Sequence, residues 1–291
     1  MLFLVVFGCF WLFLVVFGCF WLFLVVFGCF WLFLVVFGCF WLFLVVFGCF
    51  CVFTVLRIFM RILLDTTYKG GDIMEKYKTH IELCFENAEK NISKITNEII
   101  NMDGMSGVKT RHFYNNLMSL DDARYLEIGT WKGSSVCSAM CENAATIICI
   151  DNWSEFGGPK DEFVRNFAKY RGKNQAQFIE QDCFTVDVSK LPKFNVYMYD
   201  GNHDKENHSK ALHHFYNCLD DVFIFIVDDW NWPKVREGTH DAIKALNLKV
   251  LYHREIFTPV SPLRPPCGHS WWNGIYVAIL KKNTLFSRVL R

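Results

Sequence analysis

YLEIGTWKGSS, residues 125–135, reads as a β-strand that ends in a glycine-bearing turn and passes directly into a helix. The strand is apolar apart from Glu127, Gly129 and Gly133 bracket the turn, and Ser134 and Ser135 are residue types that open helices. Working downstream, further β-type runs occur at TIICI (146–150), AQFIE (176–180), NVYMY (195–199), VFIFIV (222–227), LKVLYHREIF (248–257) and GIYVAIL (274–280). With RYLEI (124–128) they make seven predicted strands. The first five are separated by segments long enough for crossover helices. TIICI and VFIFIV are apolar throughout, as strands of a parallel sheet covered on both faces must be. The connection TPVSPLRPPCGHS (258–270) is too rich in proline for a crossover helix, so the final pair is expected to be antiparallel.

Upstream, residues 72–101 place Ile73, Tyr77, Ile81, Cys84, Ala88, Ile92 and Ile95 at helical spacing with charges between them, which predicts one or two amphipathic helices. MDGMSG (102–107) breaks the pattern before a short helix over 109–119. Such lead-in helices cap a sheet or form a homodimer contact.

Positions 2–51 are of another kind. The decapeptide LFLVVFGCFW repeats without substitution until Cys51 replaces the expected Trp. Perfect copies are the mark of recent tandem duplication or of a misassigned start. No charge occurs before Arg57, so the tract has the hydropathy of two or three membrane spans, and Arg57, Arg61 and Lys69 would keep the downstream chain on the cytoplasmic side. The competing expectation is an aggregation-prone segment. A signal peptide is excluded by the absent basic start and the excessive apolar length. The expected organisation is a repeat tract over 1–64, a helical lead-in over 65–120 and a catalytic domain over 121–291. Localisation is then expected to be membrane-associated with a cytoplasmic catalytic domain if the tract is genuine, and otherwise cytoplasmic.

The whole chain carries 30 basic and 29 acidic residues, a net charge of +1, so there is no basic field of the kind that nucleic acid requires. Of the 13 cysteines none forms a C-x-x-C pair, and those outside the tract are expected to be reduced, packed thiols.

The motifs now become specific. Glu127-x-Gly129-x-x-x-Gly133 between strand and helix resembles motif I of class I S-adenosylmethionine-dependent methyltransferases, and the order of later motifs over 121–280 agrees. The family's middle glycine is replaced by Trp131, a form (E-I-G-x-W-x-G-x-S) familiar in a branch of small-molecule O-methyltransferases, and the acidic strand ends at Asp200, Asp228 and Asp229 resemble those of metal-dependent O-methyltransferases, including those acting on catechols and sugars. The resemblance implies an α/β, Rossmann-like seven-stranded methyltransferase sheet, mostly parallel with the last strand antiparallel and helices on both faces. It implies S-adenosylmethionine as cofactor, bound by Glu127, Gly129, Thr130, Gly133, Ser134, Asp151, Asn152, Asp182 and Cys183. Of these, Asp151 stands at a strand end about 20 residues beyond the glycine turn, where a carboxylate accepts ribose hydroxyls. The dinucleotide pattern G-x-G-x-x-G is absent, which leaves a NAD-dependent oxidoreductase as a distant alternative.

Asp200, Asp228 and Asp229 end the fourth and fifth strands. Ligands in open α/β sheets gather beyond the carboxyl ends of strands, and three carboxylates brought together there call for a hard cation such as Mg²⁺. The resemblance implies that such a metal holds an acceptor hydroxyl near the methyl donor. His203, three residues after Asp200, is the candidate general base. Trp230, Trp232, Trp271 and Trp272 either wall the acceptor pocket or pack in the core. The expected function is methyl transfer to a small-molecule oxygen nucleophile with a divalent metal. A metal-independent methyltransferase and a non-catalytic, membrane-tethered S-adenosylmethionine-binding module are the alternatives.

Overall fold

A computed structural model describes residues 72–259 and 270–283, together with the backbone of five strands in the N-terminal tract. Arg57, Arg61 and Lys69, on which the membrane orientation rested, and most of the Pro-rich connection lie outside the described residues. The chain divides into two units, Met1–Lys69 and Gly70–Arg291.

In the first unit the repeats form strands β1 (Leu2–Phe7), β2 (Phe10–Phe17), β3 (Phe20–Phe27), β4 (Phe30–Phe37) and β5 (Phe40–Phe47). β3 pairs in parallel with β1 and with β5, and β2 pairs with β4, each residue opposite its own copy two repeats away, as in Phe10 with Phe30. The expectation of transmembrane helices is corrected here: no helix among the described residues is long and apolar enough to cross a membrane. Hydropathy counts apolar residues without regard to backbone. Val- and Phe-rich octamers broken by Gly-Cys favour strands, and a repeat of even length keeps every copy in the same strand phase.

The second unit opens with helix α1 (72–89), then α2 (Asn97–Ile100) and α3 (Val108–Leu117). The strands and helices beyond them are β6 (Arg124–Ile128), α4 (Ser134–Met140), β7 (Thr146–Asp151), α5 (Lys160–Tyr170), β8 (Gln175–Glu180), β9 (Phe194–Tyr199), α6 (Lys205–Phe215), β10 (Leu219–Val227), α7 (Pro233–Ala245), β11 (Lys249–Ile256) and β12 (Ile275–Lys281). All seven expected strands are present. Between β8 and β9 the expected crossover helix is replaced by two 3₁₀ turns, Cys183–Thr185 and Val188–Lys190, each begun by an Asp that accepts a backbone N–H two residues on. Asp182 and Asp187 bind the backbone locally, in competition with a helix.

The sheet order is β11-β12-β10-β9-β6-β7-β8, with β12 antiparallel to both its neighbours and the five-strand remainder from β10 to β8 parallel. Alternate residues of each strand feed two cores. Tyr125, Cys149, Met198, Ile224 and Val277 pack on one face with Phe85 of α1, Phe113 of α3, Val136 of α4 and Phe163 of α5. Leu126, Ile150, Tyr197, Phe225 and Ala278 pack on the other with Leu212 of α6 and Val235 of α7. Burying such side chains contributes about 1.5–3 kcal/mol each against chain entropy. The α5 helix shows how the pattern works: Phe163 and Phe167, one turn apart, are its buried residues, while Asp161 and Glu162 sit at its positive end and Lys169 at its negative end. The chain reverses direction across the sheet between β6 and β9, and such a switch point opens a crevice at the strand ends.

Candidate active site

That crevice is a cavity of about 610 Å³ bordered by the carboxyl ends of β6, β7, β9 and β10, by residues 181–184 after β8, and by Met105, Ser106, Trp272 and Asn273. Its size falls in the range of small-molecule sites.

The turn after β6 is its floor. Gly129 has φ +83°, and a Cβ there would lie 2.0 Å from the Asp200 carbonyl oxygen, so only glycine lets the β6 and β9 turns meet. Asp151 pins the same turn from the neighbouring strand: Oδ2 accepts the N–H groups of Thr130 (2.8 Å) and Trp131 (2.9 Å), and Oδ1 accepts that of Trp153 (2.7 Å). Trp131, at φ +45°, accepts a bond on its carbonyl from Trp153 Nε1 (2.8 Å). The carboxylate thereby holds a strained loop in place.

Glu127 lies beneath the loop, fully buried and away from the cavity lining. It accepts hydrogen bonds from the hydroxyls of Tyr125 (2.7 Å) and Ser135 (2.5 Å), and burial pushes its carboxyl up to about 8 against the opposing effect of those bonds. The expected helix-capping role of Ser134 and Ser135 is therefore corrected. The N-cap of α4 is Gly133, at φ +88° and without a side-chain cap. Ser135 is drawn inward by Glu127, and Ser134 Oγ pairs with Ser106 Oγ (2.8 Å).

Of the residues assigned to the cofactor, Gly129, Thr130, Ser134, Asp151, Asn152, Asp182 and Cys183 border the cavity, whereas Glu127 and Gly133 do not. Asn152 turns its side-chain oxygen to the N–H (3.1 Å) and hydroxyl (2.8 Å) of Ser154. Asp182 accepts the Phe184 N–H (2.8 Å), and burial pushes the Cys183 thiol up to about 12.

The opposite side of the cavity is unlike this one. Asp200, Asp228, Asp229 and His203 all border it. Among the described residues, ligand atoms of Asp200, His203 and Asp229 lie within 4.8 Å of one another. His203 Nε2 is 2.5 Å from Asp229 Oδ2 and 3.6 Å from Asp200 Oδ1. Burial by itself would lower the His203 pKa, but contact with Asp200 and Asp229 outweighs it and raises the imidazole to about 10. Burial, opposed by His203, raises Asp200 to about 6. Asp228 stands outside the triad as the most buried of the three carboxyls, raised well above the ordinary range by burial and then by the charges of Asp200 and Asp229. Its Oδ1 is buried with no hydrogen-bond partner among the described residues.

Three residues here escaped the sequence reading. Asn273 donates from Nδ2 to Asp229 Oδ1 (2.5 Å), and the Asn-Gly turn signal before β12 was its one visible mark. Tyr114 on α3 buries a hydroxyl with no hydrogen-bond partner among the described residues, its pKa raised by burial and by the charges of Asp228, Asp200, Glu127 and Asp229. Arg111 on α3 is buried with no carboxylate in a salt bridge to it among the described residues and donates to the carbonyls of Ile99, Ile100, Met102, Gly104 and Ser106, drawing the loop that carries Met105 and Ser106 against the cavity. Of the tryptophans, Trp232 and Trp272 border the cavity, while Trp230 and Trp271 are buried in the packing.

Residues 126–230 match the family model described as methyltransferase domain. No curated protein matches the sequence. Among solved structures, the chain is similar to an O-methyltransferase from Bacillus cereus in complex with S-adenosylhomocysteine (13% identity, 70% of this chain and 91% of that one, TM-score 0.44). It is also similar to the O-methyltransferase TomG from Streptomyces achromogenes, in complex with S-adenosylmethionine (14%, 68% and 89%, 0.45), and to a putative O-methyltransferase from Klebsiella pneumoniae (16%, 69% and 89%, 0.43). The matched residues lie within the second unit, whose seven-stranded sheet, parallel from β10 to β8 with β12 antiparallel, has the Rossmann-like arrangement of methyltransferase domains.

Proposed function

We propose that this domain transfers the methyl group of S-adenosylmethionine to a hydroxyl oxygen of a small-molecule acceptor, with a divalent cation held by Asp200, Asp228 and Asp229 and with His203 accepting the hydroxyl proton. The observation that carries this reading is the convergence of Asp200, His203 and Asp229 in the same cavity as the Gly129 turn. The buried, unpartnered Oδ1 of Asp228 supports the cation, because a carboxylate oxygen without donor or counter-charge is costly to bury. Oxygen-rich donors suit Mg²⁺ or Mn²⁺. When bound, such an ion supplies the charge that orients an acceptor hydroxyl and lowers its pKa.

The remaining work falls to the chain. The Gly129 turn and the loop pinned by Asp151 shape the cofactor side, and Trp232 and Trp272 wall the acceptor side. The acceptor oxygen forms its bond to the methyl carbon as the carbon–sulfur bond breaks, with the electron pair returning to sulfur. The hydroxyl proton passes to His203, whose imidazole is free to accept it once it no longer serves as the sole counter-charge to Asp200 and Asp229.

Transfer without a metal is the second reading, and one observation favours it: the imidazolium of His203, 2.5 Å from Asp229 Oδ2, already balances part of the carboxylate charge. Calorimetric titration of the full-length chain with S-adenosylhomocysteine, NAD and Mg²⁺ tests the ligands. Turnover on phenols, catechols and sugars, with and without EDTA and in Asp229→Ala, tests the mechanism. Turnover lost in EDTA and in the variant is the expected result. Turnover kept in both assigns metal-free transfer; cofactor binding without turnover on any acceptor leaves a binding module; binding of NAD in place of S-adenosylhomocysteine removes the reading altogether.

A further inference from the structure

The turn after β10 does not hold its own shape. Asp229 sits at φ +52°, a conformation that costs a non-glycine residue about 1 kcal/mol or more and persists where surroundings over-determine it. The surroundings come from the segment before β12. The N–H of Trp230 donates to the Gly274 carbonyl (3.3 Å), and that of Asn231 to the Asn273 carbonyl (2.8 Å). A Cβ on Gly274, itself at φ +86°, would lie 2.5 Å from the Ile256 carbonyl oxygen. Thr258 closes the arrangement: it receives the Asn231 side-chain amide on its carbonyl and hydroxyl (2.9 Å each) and donates its hydroxyl to the Trp272 carbonyl (2.7 Å).

Within this clasp one side-chain hydrogen bond among the described residues reaches the acidic cluster. Asn273 Nδ2 takes Oδ1 of Asp229 at 2.5 Å, and the second oxygen, Oδ2, is the one that faces His203. Rotation about χ2, otherwise broad for aspartate, is restrained when one carboxylate oxygen is held by a short hydrogen bond, and this sets the aim of the other. The donor is neutral, which leaves the carboxylate its full charge. A lysine in this place would have cancelled that charge, and an aspartate would have added a fourth negative group.

We infer that Asn273 is a positioning residue for the methyl-transfer site: it fixes the carboxylate of Asp229 so that Oδ2 points into the space shared with Asp200 and His203. The inference rests on the reading of that space as a cation site. Partners that orient a ligating carboxylate typically change metal affinity about 10- to 100-fold when removed.

The test uses Mn²⁺ alone as probe, its affinity for the full-length chain measured by electron paramagnetic resonance, beside calorimetric titration with S-adenosylhomocysteine. Asn273→Ala is expected to weaken Mn²⁺ about 10-fold while S-adenosylhomocysteine binds as before. Thr258→Val loosens the same clasp without touching Asp229, and it is expected to lower the melting temperature and leave Mn²⁺ affinity unchanged. Equal Mn²⁺ affinity in the Asn273→Ala and native chains overturns the inference, as does an equal loss in Thr258→Val, which would mark a structural effect. If the alanine variant no longer binds S-adenosylhomocysteine, Asn273→Ser replaces it under the same criteria. Failure of the native chain to bind Mn²⁺ is a distinct result, which sinks the cation reading and this inference together.

Discussion

The two sides of the cavity are built from the same residue type to opposite effect. Beneath and beside the cofactor turn, both carboxyl oxygens of Glu127 and of Asp151 have partners within the protein, two hydroxyls for the first and three backbone N–H groups for the second. Across the switch point, Asp200 and Asp229 share His203, Asp229 alone also takes Asn273, and a buried oxygen of Asp228 has no hydrogen-bond partner among the described residues. A carboxyl group with a partner on each oxygen braces the loop before any ligand arrives. An undersatisfied cluster retains a charge that a ligand can answer. The difference sets a side whose carboxyl groups brace the loop against one whose carboxyl groups stay open to a ligand.

That contrast can be broken at its strongest point by Asp229→Ala, which is expected to lower methyl transfer on the order of 10³-fold and abolish Mn²⁺ binding while sparing S-adenosylhomocysteine. Comparable activity in variant and native chains would remove the chemical role of this side. His203→Ala is expected to cost about 10²-fold near neutral pH, with part of the rate returning in alkaline buffer as solvent takes over deprotonation; a pH–rate profile parallel to the native one would deny His203 the proton.

On the cofactor side the expected losses are of stability. Asp151→Ala leaves the N–H groups of Thr130, Trp131 and Trp153 without their acceptor. A loss of about 1–3 kcal/mol in denaturant unfolding is expected, with weaker S-adenosylhomocysteine binding and native Mn²⁺ affinity. A change in Mn²⁺ affinity would mean that the two sides are not separate. The smallest effect concerns Glu127, raised by burial from 4.5 to about 8. Between these values the native state holds a proton that the unfolded state has released, so its contribution is complete below the lower value and is lost as pH rises through the upper one. Between pH 7 and 8 this amounts to about 1 kcal/mol, and Glu127→Gln, which keeps the shape and removes the titration, should flatten that part of the stability profile.

Much of the second unit was legible residue by residue. The strands around RYLEI, TIICI and AQFIE were readable to within a residue of their observed limits, because a continuous apolar run between turn signals has few other outcomes. The start of β10 at Leu219 was missed, since Asp220 and Asp221 lie at its more exposed end and resemble a turn. The crossover between β8 and β9 was misjudged on length, which does not register that Asp182 and Asp187 bind their own backbone. In the tract, hydropathy carried no information on helix against strand.

The candidate site divides along the same line. The sequence by itself determined the strands, their alternation, the glycine turn and the acidic residues at the strand ends, because side-chain periodicity arises from the geometry of a single segment. Tertiary structure alone decided which carboxyl groups brace the loop and which are left open. Glu127 finds Ser135 only when α4 folds back over β6, and Asp229 finds Asn273 only when β12 inserts beside β10. Hydrogen-bond satisfaction is a property of contacts between distant segments, and no local pattern encodes it.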